Sequence, residues 1–325
     1  MVVKLPMEKS PIIKTYNTRS FPLGILQAQG DKTWPWIYNK FINCVYFPYQ
    51  ERKFDICMED WWFTRSQVFS VQLLRLTPEY LSFNSINIIS IIQECIDNGK
   101  YIYGFLNERY IPAKPNYLKY DFNHEYLIYG YDSDKQEFIF IGYTSSGRYE
   151  EYSVPCADYI KSIECKKEFD ICMVTPNHNF EFALNLQEII GDIEEYLKSI
   201  NTHEENKTKL YGLQCWKVFL ENLNQTMQEG YIDLRHTRLF LEHKTLMYKR
   251  LKYLSEQGYV GSVHAYEDIF NSANLAYKLS MKFRIAPSAS LASKISAIYQ
   301  EIVNQEAIAL SRFLVELKVF LQNKQ

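Results

Sequence analysis

A chain of 325 residues, 47% hydrophobic and 23% charged, has the length for one large domain or two ordinary ones. Its 36 basic and 38 acidic side chains are spread evenly, with 19 and 21 up to residue 178 and 17 of each beyond it. That balance excludes the basic excess of a nucleic-acid partner, 16% aromatic content excludes disorder, and no run of 18 uninterrupted apolar residues suggests a membrane span.

In chain order, the opening MVVKLPMEKSPIIK lacks an apolar stretch followed by a cleavage site, so no secretion signal is expected. Leu23–Gln29 follows Pro22 and reads as a short helix, because proline is tolerated in a first turn. Trp36–Val45 reads as a second helix. Ile88, Ile91, Ile92 and Cys95 make a helical stripe over Ile86–Asp97, which Asn98-Gly99 stops. Three runs rich in aromatic and β-branched residues then read as strands: Tyr101–Leu106, Glu125–Tyr131 and Glu137–Tyr143. Residues 132–136 join the last two as a hairpin loop.

Ten of the eleven prolines lie at or before Pro176, and beyond about Glu181 the pattern is purely helical. Apolar stripes start at Leu186 and Leu213, a third helix spans about Asp233 to Glu256, a fourth starts near Ser262, and Ser288–Leu321 contains neither Gly nor Pro. Short Gly-containing connections predict antiparallel packing in a bundle. The sequence thus divides into 1–178, α+β, and 179–325, all-helical.

The run His124-Glu-Tyr-Leu-Ile-Tyr-Gly-Tyr-Asp132, followed by Phe138-Ile-Phe-Ile141 and Gly147-Arg-Tyr149, resembles a known hairpin. It is similar to the His-bearing hairpin of papain-like bacterial proteins related to the N-terminal domain of butirosin-biosynthesis protein H, a design shared with double-glycine leader peptidases. The resemblance extends over residues 15–175, and the helical part, with Asp233-Leu-Arg235 and Glu242-His-Lys244, resembles the second domain of members of that group. It implies a papain-like cysteine-peptidase-like domain followed by a helical domain. It also implies acyl or peptidyl transfer to an amine in bacterial natural-product biosynthesis. The expected partner is an acyl or peptidyl carrier protein or a small acylated intermediate. A thiolate at a helix N-terminus would act as nucleophile, a His as base, and a carboxylate or amide would orient that His.

On this chain the resemblance places the base at His124. If the loop spans 132–136, paired residues sum to about 268, so His124 faces Thr144, with Gly142 to Ser146 around it and no Asp or Asn among them. The segment matching the start of the family's first helix, Tyr16 to Leu23, offers Thr18 and Ser20 where family members carry cysteine. Cys44 is a candidate outside that pattern. The alternative expectation is an inactive homologue that keeps the cleft as a binding or scaffold protein. Seven cysteines without a CxxC pair fit reduced, buried thiols in a cytoplasm and disfavour a structural zinc. His236 and His243 are seven apart on a helix, about 10 Å, too far for one metal ion. No Gly-rich nucleotide loop is present, so no cofactor is expected.

Overall fold

The computed structural model describes residues 1–48, 55–58, 63, 67–202 and 208–324. The chain is mixed α+β, 51% helical and 19% strand. It separates into two compact units, one formed by Met1–Thr33 with Trp61–Glu181, the other by Trp34–Asp60 with Phe182–Gln325. Expected as part of the first domain, residues 34–60 belong to the second unit.

The first unit contains, in chain order, β1 (Val2–Lys4), α1 (Asn17–Gln27), β4 (Phe69–Leu76), α3 (Pro78–Phe83), α4 (Ile88–Asp97), β5 (Tyr101–Asn107), β6 (Asn123–Asp132), β7 (Glu137–Tyr143), β8 (Tyr149–Pro155), α5 (Cys156–Glu164) and β9 (Phe169–Pro176). Its antiparallel sheet runs β4-β9-β5-β6-β7-β8. Long β6 serves two neighbours on one side: β5 pairs with its first half and β1 with its last three residues. Ile102, Leu106, Tyr126, Ile128, Phe138 and Phe140 join α4 and α5 in one buried cluster. Side chains alternate across a strand, so Tyr103 points from the other face, where it meets Phe21 of α1 edge-on. Asn87 caps α4 by accepting from the N–H groups of Ile89 and Ser90, and Gly99, at φ +74°, ends it as expected.

Two expectations in this half change. Helix α1 begins at Asn17, six residues before the predicted start, and holds Pro22 in its interior. The proline removes the N–H that would close onto the Thr18 carbonyl, yet ten consecutive residues, Asn17 to Leu26, are buried, so packing outweighs the missing bond. Trp36–Val45 is not a helix: α2 covers only Trp34–Ile37, and the chain then extends into β2 (Cys44–Tyr46). Arg250 donates to the carbonyls of Tyr38 and Lys40 at 2.6 Å each, and His243 Nε2 donates to that of Ile42 at 2.9 Å. Those carbonyls are satisfied by side chains of a distant helix rather than by local turns.

The second unit adds β3 (Ile56–Met58), α6 (Leu186–Lys198), β10 (Leu210–Tyr211), α7 (Gly212–Gln228), α8 (Leu234–Glu256), α9 (His264–Ile285) and α10 (Ala289–Gln322). The five predicted helices are present with caps written in the sequence: Asn185 for α6, Asp233 for α8 and Ser288 for α10. The unit is not all-helical, because β10-β2-β3 form a small antiparallel sheet within it. Among the described residues, no helix is long and apolar enough to cross a membrane.

Candidate functional site

Strand β5 ends in Asn107, whose side chain accepts from the Arg109 N–H and caps a single 3-10 turn, Glu108–Tyr110. In the β5–β6 ladder Leu106 opposes His124 and Asn107 opposes Asn123, so the turn returns Glu108 over the start of β6. The His124 Nδ1–H donates to Glu108 Oε1 at 2.7 Å. Asn116 Nδ2 donates to the other carboxylate oxygen at 2.7 Å, and Lys114 Nζ lies 4.0 Å away. Lys114 also donates to the Tyr143 carbonyl at 2.7 Å and sits 4.9 Å from the centre of the Tyr152 ring. The Glu108 carboxylate is 4% exposed and the His124 imidazole 33%, so the orienting group is sealed while the ring stays within reach of solvent.

Burial alone would raise the Glu108 pKa, but the hydrogen bond from His124, the Lys114 charge and the Asn116 amide outweigh it and hold the group below its ordinary value. Burial pushes the Lys114 ammonium down to about 8, against the pull of Glu108 and Glu125. A carboxylate that only accepts fixes the proton on Nδ1 and leaves Nε2 as the atom able to take a proton. That Nε2 lies 3.4 Å from Glu125 Oε2.

His124 therefore has an orienting carboxylate, but it is not the residue expected. Thr144 donates from Oγ1 to Glu150 Oε1 at 2.6 Å and shares a hydrogen bond with Ser146, closing the loop after β7 on itself. The hairpin register does hold at 268 for Leu127↔Ile141 and Ile128↔Phe140, then shifts by one at a bulge between Ile128 and Gly130. The orienting group comes from the β5 side of β6, not from β7. The legible signal was the Asn107-Glu108 turn on β5, the other antiparallel neighbour.

The nucleophile candidates do not join this group. Thr18 and Ser20 both lie in the first turn and a half of α1. Arg19 Nη1 donates to Thr18 Oγ1 at 2.5 Å, and Thr18 is 8% exposed. Ser20 is fully buried, its hydroxyl directed at the Asn17 carbonyl at 3.4 Å and beside the Tyr149 hydroxyl without good hydrogen-bond geometry. Cys44 belongs to the second unit, opens β2 and is 1% exposed; burial first, then the neighbouring Cys215, pushes its pKa well up. A thiol so placed stays protonated and inert. Among the described residues, no hydrogen bond links His124 to Thr18, Ser20 or Thr144.

His243 is likewise committed: its Nδ1 accepts from Lys244 at 3.2 Å while Nε2 donates to Ile42, so it is neutral, and burial holds its pKa well down. Among the described residues, no group of three or more His, Cys, Asp or Glu side chains is placed to hold a metal ion. The site offers an oriented imidazole, a buried carboxylate and a buried ammonium. No family model matches the chain, and no curated protein matches it.

Proposed function

We propose that the first unit is a papain-like binding domain that works in the bacterial cytoplasm in natural-product assembly. It holds an acylated or carrier-bound intermediate without forming a covalent bond to it. The resemblance of the His124 hairpin suggests the setting. The observation that carries the binding reading is the fate of the two hydroxyls at the start of α1. Thr18 Oγ1 accepts from Arg19 and Ser20 has no exposure, so neither meets the requirement that a nucleophile reach both its base and its substrate. His124 faces Glu125 with the nitrogen that a nucleophile would need.

The second reading is acyl transfer, favoured by the His124–Glu108 pair, which has the base-and-orienter form that such chemistry uses. The two readings separate by intact mass after incubation with acyl thioesters. Binding leaves the mass unchanged. An acyl adduct on Thr18 or Ser20 that disappears in His124→Ala establishes transfer instead.

A further inference from the structure

The two edges of the first unit's sheet are built differently. Strand β8, at one end, carries Glu150 and Glu151 and finishes in Pro155. Glu151 pairs with Lys4 and Lys9, and Glu150 accepts from Thr144 and Ser146. Charge and proline are common devices that keep a foreign strand off an edge. Strand β4, at the other end, has no proline over its eight residues, and its register with β9 runs unbroken from Phe69 to Leu76. Its one charged side chain, Arg75, donates to Asp170 of the neighbouring strand at 2.8 Å, so the charge is already answered. Among the described residues, Ser70–Leu76 make no backbone hydrogen bond beyond those to β9.

Apolar surface accompanies this edge. Leu73, in the middle of β4, is 59% exposed. Side chains alternate along a strand, so Leu73 stands on the face opposite Leu74 and Leu76, which pack on the buried cluster. Helix α3 follows directly through its cap, Thr77, and sends Leu81 into the same cluster. Its Tyr80 and Phe83 remain exposed, Phe83 by 89%. An open edge with uncovered apolar side chains beside it is a surface for association.

We propose that β4 is a homodimerisation edge, to which β4 of a second copy of this chain adds antiparallel about a two-fold axis. A two-fold perpendicular to the sheet keeps each face continuous, so one residue must face itself. Leu73 is the centre of Ser70–Leu76. In that register Leu73 meets Leu73 of the second copy, Val71 meets Arg75, Gln72 meets Leu74 and Ser70 meets Leu76. The most exposed apolar side chain of the strand is thereby covered by its own copy. Charge also admits a copy. Each Arg75 comes beside a valine, keeps its own Asp170, and lies four ladder positions, about 14 Å, from the other arginine. A seven-residue ladder about 24 Å long is short for a permanent interface, so the dimer exchanges with monomer. The inference goes beyond the ligand reading of the first unit and is independent of it.

The test uses the full chain. Sedimentation velocity over about 5–500 µM, a range that covers weak association, should show monomer giving way to dimer. Hydrogen exchange at the two ends of that range should show Ser70–Leu76 gaining protection at the higher concentration. Leu73→Lys and Leu73→Asp should each weaken association about tenfold or more, because both lose the Leu73 contact and set like charges opposite each other at the axis. An equimolar mixture of the two variants should associate again, now with opposite charges at the axis. Leu73 is exposed, so neither change empties the core. The wild-type exchange measurement needs no variant, so a variant that fails to fold leaves the outcome readable. A chain that stays monomeric overturns the second copy as occupant and leaves the edge to a foreign strand. A dimer in which β4 gains no protection overturns the edge itself. Undiminished association of Leu73→Lys, or a mixture no better than either variant alone, overturns the register centred on Leu73.

Discussion

Glu108 shows how much one residue can organise. It accepts from His124 and Asn116 and faces Lys114, so its charge is needed by three neighbours. Its folded pKa is lowered, so it contributes stability that is present above the unfolded carboxylate value, about 4.3, and is lost as pH falls through the folded value. Glu108→Gln should flatten that part of the acid-unfolding curve. It should also cost about 2 kcal/mol near neutral pH, the scale of a charge-assisted hydrogen bond; urea melts at several pH values check both. Cysteine reactivity belongs to the same scale. Five of the seven thiols are buried, Cys172 is half-buried and Cys165 is exposed. With an alkylating reagent under native conditions, Cys165 should label first and Cys44 and Cys215 last, read by peptide mass mapping. Fast labelling of Cys44 would contradict its burial.

Between residues and the whole lie the elements, and here legibility depended on whether the forces were local. Helices α4, α6, α8 and α10 were readable because stripe, cap and stop are adjacent in sequence: Asn87, Asn185, Asp233 and Ser288 each cap their own helix. Residues 38–43 were not, because Arg250 and His243, some two hundred residues on, decide where those carbonyls bond. Pro22 misled for the opposite reason, since a local rule was overridden by complete burial of the turn around it. The partner of His124 was hidden by topology. A hairpin announces its own register, whereas the pairing of β5 with β6 spans a 15-residue connection with no periodic signal. The β6–β1 pairing supplies an element-scale prediction. A Cβ at Gly130 would come 2.5 Å from the Val3 carbonyl, so Gly130→Ala must displace β1. Hydrogen exchange should show lost protection in β1 and in the second half of β6, with the β5–β6 ladder retained.

At the scale of the whole molecule, the chain leaves the first unit after Thr33 and returns at Trp61, contributing 34–60 to the second. That excursion explains why a cut at residue 178 is too simple. Arg250 and His243 donate to carbonyls within it, and β10 pairs with β2. A fragment beginning at Phe182 would leave Arg250 and His243 buried without these partners. It should therefore lack the cooperative thermal transition of the intact chain. The second unit also seals a Lys244–Glu306 ion pair at 2.5 Å, with Tyr196 donating to the same carboxylate at 2.7 Å and Tyr266 to its other oxygen. Both charges are fully buried, so Lys244→Met should cost about 3–5 kcal/mol by stranding Glu306. Adding Glu306→Leu should recover part of that loss, as measured by chemical denaturation.

Under the proposed function, the first unit would recognise an acyl intermediate without attacking it. The most direct measurement pairs equilibrium binding of an acyl thioester with intact mass on the same sample, for the wild type and for His124→Ala. Saturable binding, an unchanged mass in both and only a modest change in affinity without the imidazole are expected. A wild-type mass increase by one acyl group, mapped to Thr18 or Ser20 and absent in His124→Ala, would contradict it.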